Sequence, residues 1–220
     1  ALEIEPFTTV GDVKTLRKIE CLRPTCYKVS SGLLTCAPIV EEIVQLGKPI
    51  IFSTGMVGIK EIKNTLGSIK TLSSDMIAIL HCVSLYPTKL DDLNLSQIQF
   101  LSAEFGYCVG FSDHSGQPEI ASHAVMAGAK IIECHITFDK TRAGFDHRVS
   151  LDPNEFNRMV SRVRDAEKML GTPEVVRTKR IRKVGVQMGR YLSTIEDVKK
   201  GDELSLKNVG FLRYTQTRDL

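Results

Sequence analysis

Two histidines and a ring of hydroxyls placed at the ends of apolar runs are where this sequence can do chemistry. His114 closes Gly110-Phe111-Ser112-Asp113-His114, and His135 follows Ile132-Glu133-Cys134. If the two runs are neighbouring strands, both imidazoles project from one rim and can hold a single divalent ion, with open positions left for substrate and water. An ion held there polarises a carbonyl oxygen. Two separate polar histidines at strand ends remain the alternative. His81 ends a further run and is a third candidate, whereas His123 falls within a helical stripe and reads as structural.

Anion-holding groups recur in the same places. Lys28 and Ser31 bracket one strand end, Ser53-Thr54-Gly55 follows the next, and Ser84 and Ser112 end two more. A phosphate or carboxylate needs charge-assisted donors and hydroxyls converging on it, and a glycine lets the backbone come close. One Ser-Thr-Gly is more often a helix cap than a ligand site. Serines at successive strand ends around a ring carry more information.

The elements that must position these groups are an alternation of short apolar runs and helical stripes. Leu2–Phe7, Cys26–Ser30, Pro49–Ser53, Met76–His81, Cys108–Phe111 and Ile131–Ile136 read as strands. Between them run stripes such as Ile39, Val40, Ile43, Val44 and Ile59, Ile62, Leu66, Ile69. The clearest helix starts at Asp152, with Pro153 at its first position and Glu155 completing a capping box. Phe156, Met159, Val160, Val163 and Met169 are expected to face inward, and Gly171 to end the helix. Parallel strands need crossover helices, so these units predict an α/β fold with a parallel sheet. In a doubly wound sheet the polar strand ends would cluster at one switch point. Here they recur at consecutive strands, which favours a (β/α) TIM-type barrel with six of its eight units present.

The whole chain sets bounds. A formal charge of +3 over 220 residues gives no argument for nucleic acid. The basic knot Lys179, Arg180, Arg182, Lys183 lacks interleaved aromatics and reads as solvated. No apolar run approaches the ~18–20 residues of a membrane span. Ala1, Leu2 and Glu3 include no initiator Met and no signal-peptide pattern, so the true start is expected to lie elsewhere. Six cysteines without C-x-x-C spacing predict reduced thiols in a cytoplasmic protein. Residues 1–171 are read as the incomplete barrel and 172–189 as a linker. Residues 190–220, with the turn Lys200-Gly201-Asp202, are read as a small β-rich module.

Taken together, these segments resemble the sialic acid synthase family. The resemblance is carried by Tyr27-Lys28-Val29-Ser30-Ser31-Gly32, by Lys48-Pro49-Ile50-Ile51-Phe52-Ser53-Thr54-Gly55-Met56 and by His81-Cys82-Val83-Ser84-Leu85-Tyr86-Pro87-Thr88. It continues through the two histidine segments to Gly144-Phe145-Asp146-His147 and Ser150-Leu151-Asp152-Pro153. The module from Arg190 is similar to part of the antifreeze-like (SAF) domain of these enzymes. The resemblance implies condensation of phosphoenolpyruvate with N-acetylmannosamine or a related amino-sugar aldehyde, giving a nonulosonic acid and phosphate. It implies that Lys28, Ser31, Ser53, Ser84 and Ser112 hold phosphoenolpyruvate and that His114 and His135 bind manganese or magnesium. Glu133 joins the two histidines as a catalytic group, Tyr86 and Asp146 contact the sugar, and Arg213 reaches the site from the other protomer of a domain-swapped homodimer.

Departures from the family qualify this. Leu33 stands where an acidic residue is usual, Cys134 replaces a lysine, and Ala143 and Phe145 replace prolines. Glu5 stands at a usual threonine and is expected to set a carboxylate near the anion. The family's first two strands have no counterpart in the sequence, and the SAF-like module stops at about half its usual length. Weak turnover by this chain is therefore expected. A non-catalytic relative that binds metal, sugar or a full-length partner is the alternative. A deoxy-octulosonate phosphate synthase fits less well, because Ser112-Asp113-His114 precedes an SAF-like module.

Overall fold

β-branched and aromatic residues at alternate positions build six parallel strands in sequential order: β1 (Thr8–Thr9), β2 (Tyr27–Val29), β3 (Ile50–Ser53), β4 (Ile77–Cys82), β5 (Cys108–Asp113) and β6 (Ile132–Cys134). The computed structural model describes residues 4–69 and 71–213. Crossovers carry the helices α1 (Val13–Ile19), α2 (Ala37–Gln45), α3 (Ile59–Ser68), α4 (Ser96–Phe105) and α5 (Ile120–Met126), and α6 (Pro153–Leu170) follows β6. Residues 1–171 form one compact unit and 172–220 a second.

The period of two divides the work of each strand. Tyr27, Val29, Ile50, Phe52, Ile77, Ile79, Val109 and Phe111 pack with helix residues including Leu16, Ile39, Ile43, Ile62, Leu66, Ile98 and Leu101 in one buried cluster. Each large side chain so buried contributes roughly 1.5–3 kcal/mol. The intervening positions, among them Lys28, Ser53, Cys82, Ser112 and Glu133, face the concave side and line a cavity.

Curvature separates a barrel from a flat sheet, and one contact reports it. β2 and β6 are four spacings apart in the strand order, roughly 19 Å on a flat sheet. Lys28 Nζ nevertheless lies 3.5 Å from Glu133 Oε1. Two side chains cannot bridge that gap across a flat sheet, so the six strands curl into part of a barrel. Gly110 helps the inner face close, because a Cβ there would lie 2.6 Å from the Ile131 carbonyl oxygen and from Leu80.

Several boundaries differ from the sequence expectation. The first strand is at Thr8–Thr9, pairing Tyr27 and Lys28, not within Leu2–Phe7. Pro6 removes a backbone donor from that run, while the β-branched threonines pair well; residues 1–3 lie outside the described residues. β5 runs on to Asp113. β6 stops at Cys134, and pairing resumes as a single parallel bridge between Ile136 and Leu151. In α6 the Asp152–Glu155 capping box forms as read, with the Glu155 N–H donating to Asp152 at 2.8 Å. Met159 is buried, whereas Met169 is 71% exposed because the last turns extend past the underlying core.

The second unit contains α7 (Lys179–Met188) and an antiparallel hairpin of β7 (Arg190–Thr194) and β8 (Val209–Arg213). Part of the stretch read as a linker is thus helical. Thr178 caps it by accepting the Ile181 N–H at 3.2 Å, and the Lys and Arg residues that looked like a solvated knot are good helix formers. Residues 214–220 of the SAF-like reading lie outside the described residues. Among the described residues no helix is long and apolar enough to cross a membrane.

Candidate functional site

Strand ends of the curled sheet enclose a cavity of about 540 Å³, lined among others by Lys28, Ser31, Ser53, Ser84, Tyr86, Ser112, His114, Glu133 and His135. Nine residues singled out from the sequence thus meet at one place. A larger cavity of about 670 Å³ lies between the sheet and α6, lined by Ile51, Leu80, Phe156, Val160 and Val163. It shares Glu133 and Cys134 with the smaller cavity and also has Lys130, Arg164 and Glu167 in its lining, but none of the strand-end serines or the two histidines lines it, so the smaller cavity is the candidate site.

The half of the site expected to hold an anion is a chain of polar contacts across the curl. Lys28 Nζ donates to Ser53 Oγ at 2.7 Å, and Ser112 Oγ donates to Glu133 Oε1 at 2.6 Å. Lys28 is 7% exposed, so its ammonium is largely desolvated and its interactions with Glu133 and with any incoming anion are strengthened. Ser31 opens a short 3-10 turn after β2, and its Oγ accepts the Gly55 N–H at 2.9 Å.

Around the two histidines the geometry is aromatic. His114 Nδ1 lies 2.7 Å from the Val83 carbonyl oxygen, so that nitrogen carries the proton. Nε2 then keeps a lone pair, to which the Tyr86 hydroxyl donates at 3.1 Å. The His114 and His135 ring centroids are 5.5 Å apart, and Tyr86 stacks on His114 at 4.3 Å. Burial pulls the His114 pKa below the ordinary histidine value, which keeps the ring neutral and able to coordinate. His135 is pinned through its backbone, since its carbonyl oxygen accepts the Leu151 N–H at 2.9 Å. Among the described residues no three His, Cys, Asp or Glu side chains converge as a metal-holding group. For the two imidazoles expected to share an ion, the Tyr86 hydroxyl on His114 Nε2 is the group that would have to withdraw.

Three of the expected residues do not line the cavity. Asp146 sits beside the histidines, with Oδ2 3.8 Å from His135 Nδ1. Arg213 ends β8 in the second unit. His81 is excluded as a third ligand: it is one residue out of phase with Leu80 and Cys82, so it points to the helix side. There its Nε2 is 2.8 Å from the Leu93 carbonyl oxygen and its ring packs on Phe111.

Sequence reasoning missed Thr9, Met56 and Cys82, which also line the cavity. Counting by twos from Leu80 finds Cys82. Glu5, expected beside the anion, is exposed and is not among the lining residues, because the chain pairs through Thr9 instead. Cys134 lines the cavity as a neutral thiol. Burial, assisted by Asp113 and Glu133, pushes its pKa up to about 11.

A family model described as NeuB family matches residues 1–175. The chain is 38% identical to an uncharacterized protein of Methanocaldococcus jannaschii over 94% of its own length and 61% of the relative's. It is 33% identical to the N,N'-diacetyllegionaminic acid synthase of Legionella pneumophila over 97% of its own length and 61% of that protein. Among solved structures it is similar to the N-acetylneuraminic acid (sialic acid) synthetase of Leptospira borgpetersenii. The TM-score is 0.75 at 31% identity, covering 80% of this chain and 61% of that one. The chain spans about three fifths of the length of these curated relatives.

Proposed function

This chain belongs to the NeuB family, and on that premise we propose that its cavity is the catalytic face of a synthase joining phosphoenolpyruvate to N-acetylmannosamine or a related amino-sugar aldehyde. The products are a nonulosonic acid and inorganic phosphate. The observation that carries the reading is the convergence of Lys28, Ser53, Ser112 and Glu133 with the histidine pair in one cavity.

In this reading Lys28, Ser31, Ser53, Ser84 and Ser112 hold the phosphate and carboxylate of phosphoenolpyruvate. Lys28 supplies the charge and the serines the directed hydroxyls. His114 and His135 hold Mn or Mg, and the ion when bound polarises the aldehyde oxygen. Mn and Mg both favour oxygen donors over imidazole, so water and substrate oxygens would have to fill the open positions. Tyr86, released from His114, and Asp146 orient the sugar over the cavity. C3 of phosphoenolpyruvate attacks the aldehyde carbon, whose oxygen takes up a proton and becomes a hydroxyl; water adds at C2, and the C2–O bond to phosphate breaks as the added hydroxyl loses its proton and C2 becomes the ketone carbonyl. Glu133, fixed by Lys28 and Ser112, takes the proton of that water. Arg213 completes the sugar contacts from a second copy, as the resemblance to domain-swapped dimers implies.

The test is calorimetric binding of phosphoenolpyruvate followed by phosphate release with N-acetylmannosamine and Mn. Lys28→Met should abolish measurable phosphoenolpyruvate binding. Unchanged affinity in that variant would overturn the assignment of the cavity. Binding without phosphate release, for any amino-sugar tried, would favour the non-catalytic alternative.

A further inference from the structure

Ser31 has one proton, two acceptor positions and two neighbours within the protein. The Gly55 N–H donates to its Oγ at 2.9 Å, and Cys82 Sγ lies 3.2 Å away, where either atom can donate. If Ser31 gave its proton to Cys82, it would show the cavity a lone pair, which repels an anion. If Cys82 donates, both acceptor positions are filled from the protein side and the serine proton is left for the cavity. We infer that Cys82 and the Gly55 N–H form a positioning pair that turns the Ser31 hydroxyl proton toward an anion bound in the cavity. The inference rests on the reading of Ser31 as a phosphoenolpyruvate contact.

The backbone is arranged to make this contact. Cys82 is the last residue of β4, on the concave face with Leu80, and it is buried beside Ser112 in the register of β4 and β5. A Cβ added at Gly55 would lie 2.6 Å from Cys82 Sγ and 2.6 Å from Ser84 Oγ. Only glycine lets one backbone N–H sit among Ser31, Cys82 and Ser84. The same geometry makes the site sensitive to the state of the thiol. An alkylated sulfur has no proton to give, so Ser31 loses the donor that frees its own hydroxyl, and the added group occupies the cavity.

Calorimetry with phosphoenolpyruvate on the full chain tests this. Cys82→Ala should weaken binding about three- to tenfold, the worth of one hydrogen bond lost. Cys82→Ser keeps an O–H donor and should return affinity to within about twofold of the unaltered protein. In a Ser31→Ala background, Cys82→Ala should have no further effect, which a merely structural role would not produce. Gly55→Ala should weaken binding at least as much as Cys82→Ala. Should Cys82→Ala fail to fold, the unaltered protein serves: phosphoenolpyruvate should slow iodoacetamide labelling of Cys82, read by peptide mass, and labelled chain should bind at least about tenfold more weakly. Loss of affinity in Ser31→Ala but not in Cys82→Ala, or equal loss in Cys82→Ser and Cys82→Ala, would overturn the inference and leave the site reading standing. No binding by the unaltered chain, or none of its affinity lost in Ser31→Ala, would overturn both.

Discussion

The two units use similar sequence patterns to different ends. In residues 1–171 the apolar faces of β2 to β5 disappear under helices, with Tyr27, Phe52, Ile79 and Phe111 at 1% exposure or less. In residues 172–213 none of the described residues is buried, and Tyr191, Leu192, Phe211 and Leu212 of the hairpin are exposed. Both units have regular hydrogen bonding. Among the described residues, only the first has a buried second layer against which a strand can lean. Preorganised chemistry needs side chains whose backbone is fixed by packing, which is why the polar convergence occurs where it does.

The largest effect that could break this contrast is a core truncation. Phe52→Ala, directly behind the cavity face of β3, should cost about 3–5 kcal/mol in urea unfolding. Phe211→Ala in β8 should change the same transition by less than about 0.5 kcal/mol. Comparable losses would mean that the hairpin is as deeply anchored as the barrel.

Next in size is the histidine pair. His114→Ala and His135→Ala should each weaken Mn binding by about 100-fold in an electron paramagnetic resonance titration, with the core transition little changed. Tyr86→Phe should tighten it modestly, because the hydroxyl no longer competes for His114 Nε2. Binding unaltered by both alanine variants would reject a shared ion. Loss of Mn with an unchanged core transition would assign the rim to chemistry and the layer beneath it to stability.

Much of this division was legible in the sequence. The alternation of strands and helical stripes predicts the parallel sheet, and strand-end Lys28, Ser53, Ser112, His114 and His135 predict the cavity. What local pattern could not supply was phase and pairing. His81 and Cys82 are adjacent, and only the inward phase of β4 makes the cysteine a site residue and the histidine a packing residue. Thr9 and not Glu5 lines the cavity for the same reason, since the start of an edge strand is decided by its pairing with β2. The helix over Lys179–Met188 is obscured by charge, because its apolar residues Ile181, Val184 and Met188 are few and spaced among basic ones.

His81 gives a smaller, pH-dependent handle on the packed layer. Burial lowers its pKa below the ordinary 6.5, opposed by its contact with the Leu93 carbonyl oxygen. A histidine depressed in the folded state binds protons more readily when unfolded, so its contribution is complete above pH 6.5 and is lost as pH falls through the lowered value. His114, lowered likewise, adds to the slope, whereas Asp113, raised by burial, acts from the acid end with the opposite sign. Unfolding free energy of the first unit should therefore decline below pH 6.5, and His81→Gln should flatten the decline. An undiminished slope in that variant would place the proton uptake elsewhere.

The smallest effect concerns the hairpin. Its register sets Arg190 directly opposite Arg213, and like charges in that relation are destabilising. Arg190→Glu replaces the repulsion by a cross-strand ion pair, worth about 0.2–1 kcal/mol. That should raise hydrogen-exchange protection of the β7–β8 amides by between about 1.4- and 5-fold, with no change in the amides of β3 or β4. No gain would show that the two guanidiniums already splay into solvent at no cost. A gain would show that Arg213 is placed against a local penalty. Local conflicts of that kind are expected where a side chain serves a contact outside its own element, the condition under which Arg213 takes part in the proposed sugar site. The variant that combines Arg190→Glu with a measured loss of sugar affinity would sharpen this further, because a Glu that captures Arg213 within the hairpin withdraws it from that contact.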